Sequence, residues 1–258
     1  MLYNKTWFTG FYTLYQKEVQ RFFKVWMQTL ATPMITALLY YTVFSLSFPH
    51  DHQGENATPY IQFLAPGLMM MAMMQNAFAN TSSSLIIAKV QGTIVDLLMT
   101  PLTPFQISTA MGMAALTRAV VVGLASAVIL LPASGLGIAS PWVMLYFLLV
   151  SGLFMGFIGL LAGIWAEKFD QIATITNFVI IPMSFLSGTF YRAESLPEPW
   201  PFIIHLNPFF YLIDGFRHGF TGHGEAPLSV GILLTATLTA FFWWLSCFLL
   251  DRGWKLRQ

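Results

Sequence analysis

The stretch 89–107, KVQGTIVDLLMTPLTPFQI, decides how the rest of the chain is interpreted. It lies between two long apolar stretches, and yet it contains Lys89, Asp96, a glycine and two prolines. Such a segment is typical of a short helix outside the lipid. Its role depends on which side of the membrane it occupies and on what binds there.

The composition of the whole chain is that of an integral membrane protein. Of its 258 residues, 56% are hydrophobic and 9% are charged, and the mean hydropathy is +0.66. So little polar surface cannot cover a water-soluble core of this size. The net charge of +1 comes from scattered cations without a basic stripe, so nothing indicates nucleic acid as a partner. The single cysteine, Cys247, excludes an intrachain disulfide.

Six apolar stretches are long enough to cross a bilayer. A hydrocarbon core about 30 Å thick needs roughly 20 helical residues. Helices are the only candidates, because the stretches lack the alternation of barrel strands. The predicted spans are 26–48, 60–84, 107–131, 141–165, 172–190 and 228–250. We therefore predict an all-α, polytopic membrane protein in which residues 1–258 form a single transmembrane domain.

The distribution of positive charge predicts the orientation of these spans. If the N-terminus is inside, the inner segments hold nine Lys and Arg residues, whereas the outer segments hold only Arg192 and Arg217. The nine are Lys5, Lys17, Arg21, Lys24, Lys89, Lys168, Arg252, Lys255 and Arg257. The positive-inside rule then places both termini in the cytoplasm. The stretch 89–107 is cytoplasmic in the same orientation.

Residues 1–25 predict an amphipathic helix lying in the inner interface. One face is expected in the acyl chains, and the opposite face carries Lys17, Arg21 and Lys24 toward the lipid headgroups. The apolar face consists of Phe8, Tyr12, Tyr15, Val19, Phe22 and Trp26.

The segment 192–226 before the last span cannot form one continuous spanning helix, because it contains Pro197, Pro199 and Pro201. Asn207 followed by Pro208 is a favourable N-cap and first helical residue, so a new short helix is predicted to begin there. We expect short re-entrant helices in the outer leaflet.

Charged groups are almost absent from the predicted spans. All eleven carboxylates lie outside them, and Arg118 is the only charged residue inside. Coupled carriers and intramembrane hydrolases need buried ionisable groups. An arginine at a helix centre costs about 2.5–3.5 kcal/mol, so Arg118 should face protein or water. It is either a structural residue bonded to a neighbouring helix or a contact for the substrate.

No catalytic site and no metal site are assigned from the sequence. His50, Asp51 and His52 have no third ligand nearby, and an exposed loop of this kind is usually only a loop. The chain contains no G-x-x-x-x-G-K-[ST] phosphate loop, so ATP chemistry would have to come from another polypeptide.

Small and soft side chains form stripes along three of the predicted spans. Glycines at 152, 156, 159 and 163, and small residues at 115, 119, 123 and 127, should let helices approach closely. In the second span, Asn76 and Asn80 follow one stripe beside a methionine-rich run. Core packing and the lining of a substrate path both explain these methionines. The residues predicted to line a substrate path are Met70, Met74, Asn76, Asn80, Arg118 and Asn177.

Several of these features together resemble the membrane subunit of a type-2 ABC transporter. They are the amphipathic N-terminal helix, the six spans, the segment AKVQGTIVDLLMTPLTPFQI, the sequence FLSGTFY closing span five, and LPEPW…LNPFFYLIDGFRHG before span six. The order and spacing of these pieces cover essentially the whole chain. The sequence PYIQFLAPGLMMM resembles the small drug-exporter or glycolipid-exporter branch.

The resemblance implies that residues of about 89–100 form a coupling helix that docks on a separate ATPase subunit. Thr93, Ile94, Leu97 and Leu98 are expected to form its apolar contact, between Gly92 and Pro101. The polar residues expected to bond across that interface are Lys89, Gln91 and Asp96. In the same family the N-terminal helix touches the ATPase, which assigns Lys17, Glu18 and Arg21 to the contact.

The implied protein is therefore a transport permease without enzymatic activity of its own. Two copies, or this chain and a close relative, would form the path, and two ABC ATPase subunits would bind ATP and Mg²⁺. The chain itself would bind no cofactor, would lie in a bacterial-type cytoplasmic membrane among lipids, and would export a hydrophobic or amphiphilic molecule such as a drug, lipid or lipid-linked glycan. A secondary carrier and a membrane-embedded transferase remain alternatives. ATP-independent transport would favour the first, and product formation by the chain alone would favour the second.

Overall fold

A computed structural model describes residues 2–47 and 60–255, with side chains from residue 8 onward. Every regular element in this part of the chain is helical. The α-helices are α1 (Leu2–Phe23), α2 (Trp26–Ser47), α3 (Tyr60–Val90), α4 (Ile94–Leu98), α5 (Pro104–Ser134), α6 (Pro141–Trp165), α7 (Phe169–Ile175), α8 (Ile181–Phe185), α9 (Trp200–Leu206), α10 (Pro208–Thr221) and α11 (Leu228–Arg252). A π-helical segment, Thr176–Ile180, joins α7 to α8, and Ala193–Ser195 is a 3₁₀ turn.

Some sequence predictions concern residues that lie outside this description. They are the side chain of Lys5, the end of the first predicted span at Phe48, the triplet His50, Asp51 and His52, and Arg257.

Four of the described helices, α2, α5, α6 and α11, combine sufficient length with sufficient apolarity to cross a membrane. Helix α3 is also long, with 31 residues, but its second half is rich in polar side chains. The fifth predicted span, 172–190, has the wrong boundaries, because the helical run covers 169–185 and ends in a turn. Pro182 has no N–H to donate to a helical hydrogen bond, and the wider π-helical turn Thr176–Ile180 lies just before α8. Gly188 then takes a left-handed conformation, with φ of 68°.

The core of the bundle is the contact of α6 with α3 and α5. The predicted glycine face of α6 is confirmed, because each of its glycines closely approaches a neighbouring helix. A Cβ at Gly159 would lie 2.4 Å from both the carbonyl oxygen of Phe78 and the hydroxyl of Thr81. Thr81 in turn donates a hydrogen bond of 2.7 Å to the carbonyl of Gly156. Small residues thus let α3 and α6 meet backbone to backbone.

Two short helices replace a continuous helix after α8, as the prolines predict. Helix α10 begins at Pro208, and the side chain of Asn207 accepts a hydrogen bond of 3.0 Å from the N–H of Phe209. Helix α10 is buried along most of its length and packs on α6, α3 and α11. The predicted cap is therefore confirmed, and α10 becomes part of the core.

The predicted lipid-facing side of α1 turns outward only in part, because its member Phe22 is 1% exposed and packs inside the protein. Phe8 and Tyr12 are exposed, whereas Leu14 and the charged residue Glu18 are buried against the bundle. The buried side is set by contact with α5, as in the hydrogen bond of 2.9 Å between Tyr15 and Thr117. Contact with the bundle thus covers the side of Leu14, Glu18 and Phe22, and it leaves Phe8 and Tyr12 exposed, as a lipid-facing side requires.

Candidate functional site: the surface of α4 and the cleft beside α2

Helix α4 is shorter than the predicted coupling helix of about 89–100. Residues 89 and 90 still belong to α3, and Gly92, with φ of 74°, reverses the chain before α4 begins at Ile94. The capping box of Thr103 and Gln106 starts α5 six residues after α4 ends at Leu98. A five-residue helix is thus held between the ends of two of the longest helices.

The buried side of α4 is the side that the sequence analysis had assigned to a partner. Ile94 is only 7% exposed, and Leu97 and Leu98 are half-buried. They contact an apolar group that we call the inner cluster. Its buried members are Leu14, Leu85, Ile94, Ile107, Ala110, Met111, Leu160, Ile164 and Leu250. The prediction that Ile94 contacts a partner is therefore wrong, because this side chain packs into its own bundle. For the half-buried Leu97 and Leu98, contact with a partner stays a prediction.

The opposite side of α4 is apolar and exposed. Val95 is 55% exposed and Met99 is 81% exposed, and Val90, at the end of α3, is also 55% exposed. The polar residues beside them are also exposed. We call the set Val90, Gln91, Gly92, Thr93, Val95, Asp96 and Met99 the coupling surface. Two apolar side chains four residues apart lie on one side of a helix, so this surface presents a compact apolar spot with a polar rim.

Lys89 does not lie free at this surface. Its ammonium donates hydrogen bonds to the carbonyl oxygens of Ile164 and Ala166, the latter at 2.8 Å. It thereby ties the end of α3 to the end of α6. Lys89 was predicted to bond across the partner interface, but its hydrogen bonds lie within the protein.

Glu18 and Arg21 are also turned toward the protein. The Arg21 guanidinium bonds Glu18 at 3.0 Å, the backbone oxygen of Asn80 at 2.6 Å and the hydroxyl of Ser83 at 3.2 Å. Ser84 donates to the other oxygen of Glu18 at 2.8 Å. The expectation that Arg21 lies on an outward basic face is therefore wrong, whereas Lys17 is exposed as expected.

Helix α1 and the region of α4 form one continuous surface. Gly10 meets the side chain of Leu102, so that a Cβ there would lie 2.6 Å from it. Beside this contact is a groove of about 430 Å³ whose lining includes Lys17, Asp96 and Leu97. A partner that touches α4 therefore has α1 within reach on the same side, which fits the predicted pairing of these two segments.

A second feature is a cleft of about 720 Å³ between α2, α3, α5 and α8. Its wall on α2 is polar and exposed, with Gln28, Thr32 and Thr36 in a row. Its other walls are mostly apolar, with Met71 from α3 and Phe185 from α8. The cleft is concave, opens to the outside of the bundle and has the size of a small-molecule site.

Arg118 and Asn76, two of the predicted path residues, meet in this cleft. The guanidinium of Arg118 donates to the side-chain oxygen of Asn76 at 3.0 Å. The Asn76 amide donates in turn to the carbonyl of Ala72 at 3.0 Å, which fixes its orientation. Asn80 lies one turn further along α3, but it is completely buried and holds Arg21 instead.

The other predicted path residues do not line the cleft. Met70 and Met74 are both 0% exposed and belong to the main hydrophobic core, so their assignment to a path is wrong. Helical spacing places them on one side of α3, but that side meets the bundle rather than the cleft. Asn177 is exposed in the π-helical segment and is not part of the lining.

The sequence did contain signals for two groups of residues that were missed. Polar or hydroxyl-bearing side chains recur every four residues at Gln28, Thr32, Thr36 and Tyr40 in α2, and all four line the cleft. Val95 and Met99 have the same spacing in the coupling surface. Both stripes were visible as periodicity, but periodicity does not say which side of a helix faces its own protein.

Buried charges at the far end of the bundle have a structural role. Arg217 stacks on the ring of Phe63 at 3.6 Å and donates to the carbonyl of Gly188 at 2.7 Å. Asp214 accepts backbone N–H groups from Glu225 and Ala226 at 2.9 and 3.0 Å. Burial raises the pKa of the Glu225 carboxyl, and Arg217 partly offsets that effect. These groups fasten α10 to the start of α3 and to the loop before α11.

A comparison with known families covers most of the chain, including α4 and the cleft. Residues 9–221 match the family described as ABC-2 type transporter. The chain belongs to the ABC-2 type transporter family. This ABC-2 chain is accordingly a multi-pass membrane protein of the permease type.

Curated relatives of this ABC-2 chain carry one name. It is 34% identical over 247 residues to the "Inner membrane transport permease YadH" of Escherichia coli strain K12, which covers 95% of this chain and 96% of the relative. The proteins of that name in Escherichia coli O157:H7 and in Shigella flexneri match to the same extent. The similarity spans both the α4 region and the cleft.

Proposed function

We propose that this chain is the transmembrane subunit of an ATP-driven exporter in the inner membrane. Its cargo would be a hydrophobic or amphiphilic molecule, and a separate ABC ATPase subunit would bind ATP and Mg²⁺. The observation that carries the proposal is the coupling surface, where Val95 and Met99 are exposed on a helix whose other side is anchored in the protein. An exposed apolar spot with a polar rim is the anatomy of a protein interface.

The inner cluster explains how binding at α4 could move the bundle. Ile94 belongs to a cluster whose other members come from α1, α3, α5, α6 and α11, so a force on α4 reaches several helices through one packed group. Packed cores resist continuous deformation and shift as units. ATP binding and hydrolysis on the partner would thereby change the opening of the cleft.

The proposed assembly contains two permease copies and two ATPase subunits, with six spans in each permease and both permease termini in the cytoplasm. The helical run 169–185 and helix α3 would supply the two spans that lie outside the four most apolar helices. The cleft is bounded by α2 and α8, which are the first and fifth spans. A second copy at this side would close the two clefts into a central path between the permeases.

Reconstitution tests this function directly. The purified chain alone should hydrolyse no ATP, because it has no phosphate loop. Vesicles containing the chain and an ABC ATPase subunit that co-purifies with it should hydrolyse ATP and move a fluorescent amphiphile in an ATP-dependent manner. The matched control is the same complex with the catalytic glutamate of the ATPase subunit replaced by glutamine.

Other outcomes of the same experiment would overturn the proposal. Transport that continues without ATP and follows an ion gradient would show a secondary carrier. Conversion of a lipid-linked substrate into a product by the chain alone would show a membrane-embedded transferase.

A further inference from the structure

The strongest unexplained feature of the cleft is the charge on Arg118. One nitrogen of its guanidinium bonds the neutral side chain of Asn76 at 3.0 Å. Its Nε is buried and has no hydrogen-bond partner in the structure. Among residues 2–47 and 60–255, no carboxylate lies within ion-pair distance of Arg118. A cation away from bulk water and without an anion is costly.

The neighbouring charges do not compensate for Arg118. Arg21, which also lines the cleft, is a second cation and cannot neutralise Arg118. Glu18, the carboxylate paired with Arg21, is already used on both oxygens, since one accepts from Arg21 and the other from Ser84. The local group of Arg21, Glu18 and Arg118 therefore keeps one net positive charge at the cleft.

The rest of the cleft is suited to an apolar molecule. Leu68, Met71, Ile181 and Phe185 supply hydrocarbon surface beside the charged end. Methionine in particular adapts to differently shaped apolar groups. An occupant that satisfies both parts would carry an apolar body and one anionic group.

We propose that the cleft selects amphiphiles with an anionic group, and that Arg118 is the specificity-determining residue that binds this group. Carboxylate and phosphate oxygens can accept charge-assisted hydrogen bonds from a guanidinium edge. Asn76 is the positioning residue, since its bond to Arg118 and its own bond to Ala72 hold the guanidinium against the cleft. The inference rests on the proposed transport function, because it names the substrate class of that cleft.

A binding experiment tests the proposal without the ATPase. The probes are 11-(dansylamino)undecanoic acid and its primary amide, which differ in charge but have the same apolar body. Fluorescence titration of the purified permease in a neutral detergent, above the pKa of the acid, gives the two dissociation constants. The acid should bind roughly ten-fold or more tightly than the amide.

Three variants separate the charge from the fold. Arg118→Gln should bring acid and amide close to parity, and Arg118→Lys should restore part of the preference. Arg252→Gln is the matched control, because Arg252 lies at the end of α11 over the ring of Phe248 and outside the cleft. It should leave the ratio unchanged. Size-exclusion profiles establish that each variant is folded.

Equal binding of acid and amide to the unchanged protein would overturn the proposal even if Arg118→Gln fails to fold. Retention of the acid preference in a folded Arg118→Gln variant would also overturn it. Either result would contradict only the anion site and would say nothing against ATP-dependent export by the reconstituted complex. Conversely, a complex that does not export would not change the measured ratio of the acid and amide dissociation constants. The two proposals can therefore fail separately.

The anionic group could belong to a transported amphiphile or to a resident membrane lipid. Titrations in phosphatidylcholine nanodiscs, with and without phosphatidylglycerol, distinguish these sources. Displacement of the acid by phosphatidylglycerol, lost in Arg118→Gln and partly kept in Arg118→Lys, would support an anion site that takes lipid headgroups. Binding unaffected by phosphatidylglycerol would support a site for smaller anionic amphiphiles.

Discussion

The two faces of α4 give a sharp test of how this permease binds its partner. We consider the double variant Val95→Asp and Met99→Asp, which places charge on the exposed side, and the single variant Ile94→Asp on the buried side. The first should leave the permease folded and remove the ATPase subunit. The second should damage the permease itself, because Ile94 is 7% exposed within the inner cluster.

The size of the effect follows from the exposed fractions. Complete burial of a valine or methionine side chain contributes about 1.5–3 kcal/mol. Val95 is 55% exposed and Met99 is 81% exposed, so covering the remainder contributes about 1 and about 2 kcal/mol respectively. Loss of both amounts to about 3 kcal/mol, or roughly 100-fold in the dissociation constant. Desolvation of the two new carboxylates would weaken binding further.

The assay is co-purification of the tagged ATPase subunit with the permease, followed by titration of the two purified proteins. Ile138→Asp is the control, since Ile138 is similarly exposed, at 50%, but lies in the loop between α5 and α6. It should bind the ATPase normally. Normal binding by the double variant would refute the coupling surface. Normal folding of Ile94→Asp together with lost ATPase binding would instead return Ile94 to the interface, contrary to its position in the structure.

Two further predictions concern topology and packing. In a Cys247→Ser background, cysteine in place of Ala133 or His223 should react with an impermeant reagent on intact cells. Both side chains are exposed, and the charge asymmetry places both positions outside. Reaction only after permeabilisation would reverse the orientation. Gly159→Ala should lower the melting temperature of the detergent-solubilised permease and reduce its free energy of unfolding by about 1–3 kcal/mol. The reason is that the new Cβ would lie 2.4 Å from Phe78 and Thr81, whereas in the control Gly137→Ala it would meet nothing within 4 Å. Equal melting temperatures of the two variants would show that α3 and α6 can separate without cost.

The sequence by itself determined the class of the protein and most of its segments. Scarcity of charge indicates a membrane protein, in which every backbone group in the lipid must be bonded, so only helices and closed barrels can span. The long apolar stretches lack the alternation of barrel strands, and helices therefore remain. Local rules also located the helix start at Pro208 and the close contact along the α6 glycines. These features depend on neighbouring residues in sequence, and so they can be read without the fold.

Tertiary structure decided which side of each helix faces the protein. In a membrane, both the lipid-facing and the core-facing sides of a helix are apolar, so the hydrophobic pattern does not distinguish Met70 and Met74 from a path lining. The same ambiguity explains two wrong predictions. In α4, Ile94 was predicted to contact the partner, but Val95 and Met99 are the exposed residues. In α1, Arg21 was predicted to face outward, but it faces the protein. Only the packing of α3, α5 and α6 selects the buried sides, because close contact depends on the shapes of all three helices together. That selection leaves Arg118 charged in a cleft with one polar and several mostly apolar walls. It also leaves α4 anchored on one side and open on the other.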